Sequence, residues 1–565
     1  MNRSKHLITL KSFVPHRPGV IALALVALLG SSGVLAQSLP DAGRTLRELN
    51  PPVEPPKPPQ TLDILPADAG QAVAPGGPQV ELQSVSFRGN TVFSEEQLRA
   101  VLGELSGRRF DLAGLRGLAA HITAHYQGAG YPFARALLPA QPLAGGRLQI
   151  EVIEGRWGQV RARSDDPAVQ AAAQAYLAPL QGGALIAQAP LERALLLLSD
   201  LPGVTNHPLV RPGEAGGSGD LQVPVERVRS VGAEAALDNH GSRYNGIYRA
   251  RLLLQIDSPF DFGDQLQLRA MTSDAALQLG SLDYSLPLGA DGWRGRIGYA
   301  HTSYELGHQF AALQAGGTAK VASLGLSYPL QRTRLSNVTF SASYQHKDLQ
   351  DHQDVLQTRS AKRSDSVTVA LQFDRRDGLG GGGISYGSLS WVPGRLRLDA
   401  AARAADALTA NSQGRFDKLS LDLHRIQSLA GDFGFYGHVG AQWSTGNLDS
   451  SEDFGLGGPA GVRAYPTSEG FGDRGLLAQL ELRYALNPGT SLVGFYDAGR
   501  VTINAKPWDQ AENHRSLAGA GLGLRWQLRG VSADLSLAWR TQGGPVRSDM
   551  RQGQPMAWFN LVSRF

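Results

Sequence analysis

Between Gly461 and Pro466 the chain reads G-V-R-A-Y-P, and from Phe495 to Gly499 it reads F-Y-D-A-G. An arginine in a glycine-rich stretch and an aspartate on an alternating stretch can make one kind of bond, a salt bridge tying a loop to a strand. On an open surface such a pair contributes about 0–1 kcal/mol. Shielded from water, with both arms of the guanidinium engaged, it is stronger. The alternation across Ser491–Val501 puts Val493, Phe495, Asp497 and Gly499 on one face and Leu492, Gly494, Tyr496 and Ala498 on the other. Phe495 and Gly499 then flank Asp497, one able to pack on the loop and one leaving room for it. The loop motif comprises Val462, Arg463, Ala464, Tyr465 and Pro466.

Other spacings point to chemistry less well. His121 and His125 lie one helical turn apart, a zinc-compatible spacing, but the glutamate of H-E-x-x-H is missing, and the pair reads as a solvated helix face. Gly383-Ile384-Ser385-Tyr386-Gly387 fits G-x-S-x-G, whose serine must end a strand and open a helix; here Ile384–Trp391 alternates as a strand. Gly455-Leu456-Gly457-Gly458 lacks the Gly-Lys-Ser/Thr of a phosphate loop and reads as the flexible neck of the Arg463 loop. Asp374–Gly378 (D-R-R-D-G) reads as a charged turn between strands. No catalytic residue, cofactor or metal is therefore expected, and the chain is not read as an enzyme.

The elements that must position the pair follow from composition and period. At 565 residues the chain needs several domains. Its 54 Lys+Arg against 50 Asp+Glu give a formal charge of +4, too small an excess to mark a nucleic-acid binder. Cysteine is absent, which excludes thiol catalysis and disulfides. Basic residues at 3, 5, 11 and 17, an apolar core Val20–Leu29 and the small residues before Gln37 predict a signal peptide over 1–36. No later run is long and apolar enough for a membrane helix, so a membrane span would have to be a closed β-barrel.

Residues 37–50 predict a short amphipathic helix with Leu46 and Leu49 on one face, stopped by Pro51-Pro52. The Pro-rich linker 51–79, roughly 30 residues at about 3 Å each, reaches on the order of 90 Å extended, so the helix is tethered yet free to dock far away. Residues 80–155 and 156–228 each predict the order β-α-α-β-β, the organisation of POTRA domains. In the first, a strand over Val80–Phe87 precedes a helix capped by Ser94 with Gln97 at capping-box spacing. From 229 to 565 the period is two. Gln479, Glu481 and Arg483 alternate with Leu480, Leu482 and Tyr484, as a water-facing and a lipid-facing wall require. At about 20 residues per strand and connection, this length predicts an all-β transmembrane barrel of about sixteen antiparallel strands. An ionisable group facing lipid is costly, so Asp497 should face the lumen.

From Ser38 to Phe565 the chain resembles the outer-membrane B components of bacterial two-partner secretion, the transporters of haemolysins and adhesins. The likeness rests on Arg463 and Asp497 with their neighbours, on Gly130-Tyr131 and Val152–Arg156 in the first module, and on Leu191–Ala194 with Leu201–Val204 in the second. Leu237-Asp238-Asn239-His240-Gly241-Ser242-Arg243 resembles the lead-in to the first barrel strand. The resemblance implies that 37–50 is a plug helix, that Arg463 and Asp497 lock loop to barrel, and that terminal Phe565 is an assembly signal. It implies an outer-membrane barrel with periplasmic POTRA domains. Its partners would be a secreted exoprotein, outer-membrane lipids and the barrel-assembly machinery, with no nucleic acid. One departure is Ala464, where the family usually has glycine and so easy access to positive φ. The rival readings are an insertase for other outer-membrane proteins and a passive porin.

Overall fold

The computed structural model describes residues 39–49, 55–56 and 75–565. The expected signal peptide and most of the Pro-rich linker lie outside the described residues.

In the first module Ser84–Arg88 runs parallel to Arg147–Ile153, which pairs antiparallel with Arg135–Leu137. The helices Glu95–Leu102 and Leu112–Gly128 cover this sheet, burying Leu98, Leu118, Ile122 and Tyr126 against Leu148 and Ile150. Ser94 and Gln97 form a reciprocal capping box that satisfies donors at the helix start. Instead of one strand over Val80–Phe87 there are two, Val80–Glu81 and Ser84–Arg88. The two pair with different partners, Val80–Glu81 with Arg109–Phe110 and Ser84–Arg88 with Arg147–Ile153, and the fully buried Leu82 lies between them. His121 is exposed and His125 packs on the Phe93 ring, centroids 4.7 Å apart.

Glu154, where the first module meets the second, accepts from the amides of Thr91 and Val92, from the Thr91 hydroxyl, and from Tyr126 Oη at 3.0 Å. Burial pushes its carboxyl pKa up, but these donors outweigh burial and hold it below the ordinary glutamate value. In the second module Arg156–Arg163 runs parallel to Ser218–Arg227, to which Val204–Asn206 and Leu209–Pro212 also pair. Its core admits Phe262 from a barrel turn, and Asp200 grips Arg332 through two bonds of 2.6 and 2.7 Å. This module is thereby seated on the barrel's near rim.

Sixteen of the strands that follow form a closed antiparallel meander, and Ser230–Asp238 pairs with Met556–Arg564 to close it. Closure leaves no unpaired edge in the apolar layer. Leu252, Leu268, Leu324, Trp391, Leu482 and Leu535 point outward and exposed, whereas His424, His438, Gln479, Glu481 and Asp497 point inward and buried. No described helix is long and apolar enough to cross a membrane.

Three local expectations need correction. Leu237 and Asp238 end the first strand, so the Leu237–Arg243 motif is its exit, held by Asp238 on Arg249 at 2.8 Å. Asp374–Asp377 belong to the strand Thr358–Asp377, and the turn is the glycine run from 378 to 382, three of whose glycines have positive φ. Gly455 is no loose neck, because Phe454–Gly455 pairs with Phe471–Gly472 and Leu456 is fully buried. Ser385 lies on the strand Gly383–Leu398, where its hydroxyl accepts from Arg425 Nη1 at 3.0 Å.

Candidate functional site

The segment between the strands Phe433–Ser444 and Arg474–Asn487 does not extend away from the barrel. It is pinched at its base by the Phe454–Gly455 pairing and folds across the lumen. At its tip Arg463 meets the wall. Arg463 Nη2 lies 2.7 Å from Asp497 Oδ1, its Nε 2.8 Å from Oδ2, and its own backbone amide 3.1 Å from the same oxygen. The third guanidinium nitrogen, Nη1, donates to a second carboxylate, Glu481 Oε1, at 2.7 Å. Asp497 is fully buried and the Arg463 side chain is 9% exposed, so the pair is shielded and both arms are used.

The flanking motif residues pack the tip. The Phe495 ring lies under the guanidinium at 3.6 Å to its centroid. A Cβ at Gly499 would stand 2.3 Å from Leu456 Cδ1, so glycine there is what lets the loop approach. Val462 is fully buried in the apolar cluster of Leu456, Leu477, Val493 and Phe495. Tyr465 Oη reaches the carbonyls of Gln542 and Gly544, each at 2.9 Å. The Pro466 carbonyl sits where a side chain at Gly457 would go. Ala464 adopts no positive φ, and its methyl rests against Gly519, which has no side chain to obstruct it. Alanine therefore costs the loop no backbone strain. Phe565 is exposed at the closing seam, where its amide donates to Ala233 O at 2.9 Å.

Several anchors were not read from the sequence. Glu481 stood on the polar face of its strand, yet nothing in its spacing from Arg463 marked it as a second acceptor. Trp558 Nε1 donates to the Arg463 carbonyl at 2.7 Å from the last strand. Glu469 accepts from Arg515 Nη2 at 2.6 Å and from the amides of Arg547 and Ser548. Gln479 Nε2 donates to Gly461 O at 2.8 Å. The loop is thus held at both ends against one arc of the wall, from Arg474–Asn487 round to Met556–Arg564.

A second element shares the lumen. The helix Ala42–Glu48 is capped by Asp41, which also binds Lys362 Nζ at 2.6 Å. The Ala42 amide donates to Asp351 Oδ1 at 2.8 Å, and Glu48 accepts from Ser468 of the loop at 2.7 Å. The tightly packed face is Ala42, Gly43 and Thr45, not Leu46 and Leu49. A polar lumen rewards close approach and ion pairs over an apolar stripe. A Cβ on Gly43 would come within 2.3 Å of Ser450 Oγ. The Pro56 carbonyl accepts from Arg376 Nη2 at 3.4 Å, at the end of the strand Thr358–Asp377 away from Lys362.

Residues 217–526 match the family described as haemolysin secretion/activation protein ShlB/FhaC/HecB, and residues 80–155 match the POTRA domain of ShlB type. The heme/hemopexin transporter protein HuxB of Haemophilus influenzae is 26% identical, over 97% of this chain and 100% of its own length. The outer membrane transporter CdiB of Dickeya dadantii is 22% identical, over 82% of this chain and 83% of its own. Among solved structures, CdiB from Escherichia coli superposes with a TM-score of 0.68 at 20% identity, covering 90% of this chain and 94% of that one.

Proposed function

Since the chain belongs to the haemolysin secretion/activation family of outer-membrane transporters, we propose that it carries one large secreted partner, of haemolysin or adhesin type, from periplasm to cell surface through its own barrel. The barrel lies in the outer membrane and the POTRA region in the periplasm. The modules at 80–155 and 156–228 take up the unfolded partner by adding its strand to an open sheet edge, where main-chain hydrogen bonds tolerate varied sequences. The helix Ala42–Glu48 is a resting plug, and the loop bearing Arg463 is locked to the wall by Asp497. The periplasm supplies no ATP, so folding of the partner outside the cell supplies direction. Lipids hold the barrel, and Phe565 presents it to the barrel-assembly machinery.

The observation that carries this reading is a lumen filled by two elements of the chain itself, each held by ion pairs and hydrogen bonds to the wall. Polar contacts of this kind can be exchanged for water when an element leaves, unlike a continuous apolar core. A passive porin has no use for such fillings. The test is to co-express the chain with a large repeat-rich exoprotein of haemolysin or adhesin type and to measure that protein at the cell surface. Removal of residues 80–155 should abolish its export while leaving a heat-modifiable barrel in the outer membrane. Normal export without those residues refutes capture by the first module, and normal export without the whole chain refutes the reading.

A further inference from the structure

On the inner wall, below the loop, two histidines and an aspartate converge. Asp422 and His424 are two residues apart on the strand Gly414–Ser428 and share its inner face. His438, on Phe433–Ser444, is the direct cross-strand partner of His424. The two imidazoles stack with centroids 4.3 Å apart and planes 4° apart, and Tyr386 stacks on the other side of His424 at 4.6 Å. Both Nε2 atoms turn toward one carboxylate: His438 Nε2 is 3.1 Å from Asp422 Oδ2, and His424 Nε2 meets Oδ1. Three ligand atoms lie within 4.8 Å of one another.

The surrounding hydrogen bonds decide what belongs between them. Gln479 donates its amide N–H to Gly461 O, so its Oε1 is the atom that faces His438 Nδ1 at 2.8 Å. An amide oxygen cannot donate, so Nδ1 carries the proton. The Nε2 lone pair of a neutral His438 then points at a carboxylate oxygen. Two acceptors at that distance repel unless a cation stands between them. His424 is oriented in the same sense, with Nδ1 on Tyr436 Oη at 2.9 Å. Outer partners on Nδ1, with both Nε2 atoms turned to one carboxylate, are the arrangement that orients metal-binding histidines. Room is provided as well: Gly440 lies opposite Asp422, and a Cβ there would stand 3.5 Å from His438 Nε2 and 3.9 Å from Asp422 Oδ2, so a branched side chain would crowd the space between them. Asp422 is 30% exposed toward the lumen, which gives an ion a way in.

We propose that Asp422, His424 and His438 bind a divalent transition-metal ion of the zinc class on the lumenal wall. Two imidazoles and one carboxylate suit such an ion and leave a coordination position free for water or a fourth ligand. With metal–ligand bonds of about 2 Å, neighbouring donors of a tetrahedral site stand roughly 3.3 Å apart, so each Nε2 must draw back from Asp422 and the two stacked rings must tilt toward a common point. Through Gln479 the site is one residue removed from the loop at Gly461, so an occupied site stiffens the wall on which the loop rests.

The test uses the full chain purified in detergent, stripped with EDTA and titrated with Co²⁺. We expect one Co²⁺ per chain, with visible d–d bands and displacement by Zn²⁺. His424→Asn with His438→Asn should abolish the bands. Gly440→Val should do so with every ligand present, and heat-modifiability reports whether either variant is folded. Tyr436→Phe, which removes the outer partner of His424, should weaken binding about tenfold. His121→Ala with His125→Ala should change nothing. Absence of bands in the unaltered chain means that the cation between these groups is a proton, and it overturns the proposal. Bands that survive Gly440→Val and the double histidine variant overturn it equally.

Discussion

Replacing Arg463 by alanine should free the loop, and the structure sets how much. Asp497 is fully buried and receives three bonds, all from residue 463; after the substitution only the backbone amide remains. Glu481 is less affected, since Arg483 and Arg525 still reach it at 2.6 and 3.0 Å. Breaking a buried pair by removing one partner costs about 3–5 kcal/mol. Asp497→Ala should cost less, about 1–3 kcal/mol, because Arg463 keeps its bond to Glu481. The double variant should cost less than the sum of the two, with a coupling energy of about 0.5–3 kcal/mol. The chain has no cysteine, so one introduced at the fully buried Val462 reports loop opening without background. Its maleimide labelling should accelerate on the order of 10²–10⁴-fold with Arg463→Ala, at about 1.4 kcal/mol per tenfold. Labelling within about threefold of the Val462→Cys parent (~0.7 kcal/mol), or strict additivity in the cycle, refutes the lock.

Deleting residues 38–50 should raise single-channel conductance in planar bilayers, and unchanged conductance counts against a plug. Lys362→Ala, which strips the charge partner from Asp41 and Asp449, should raise the open fraction without altering the fully open conductance. For the first module, Glu154→Gln should lower its thermal midpoint at neutral pH, by about 2–4 kcal/mol of stability, through weakened charge-assisted bonds. Because the folded carboxyl pKa lies below the ordinary 4.5, its stabilisation is present above that pH and lost as the pH falls through the folded value. The unaltered module should therefore lose stability on acidification while the glutamine variant loses less, as followed by calorimetry. A Gly499→Leu chain should assemble its barrel yet leave Val462→Cys open to labelling, since Leu456 occupies that space.

Periodicity of two over the last three-fifths of the chain was enough to read a barrel, because a wall between lipid and water forces alternation at every strand. The sixteen strands and the inward face of Asp497 follow from that rule and from length. The capping box at Ser94 was legible because it is local, satisfied within one helical turn. What the sequence could not disclose were partners distant along the chain. Glu481 and Gln479 reach the loop from one strand and Trp558 from another, brought beside it only by the closed barrel. The helix Ala42–Glu48 turned its small residues, not its leucines, to the packed face, because the surface receiving it is polar and close rather than apolar. His424 and His438 are fourteen positions apart and show no metal-ligand spacing; cross-strand pairing alone makes them neighbours. Local chemistry and period are written in one dimension, whereas a site assembled across strands exists only once the sheet has closed.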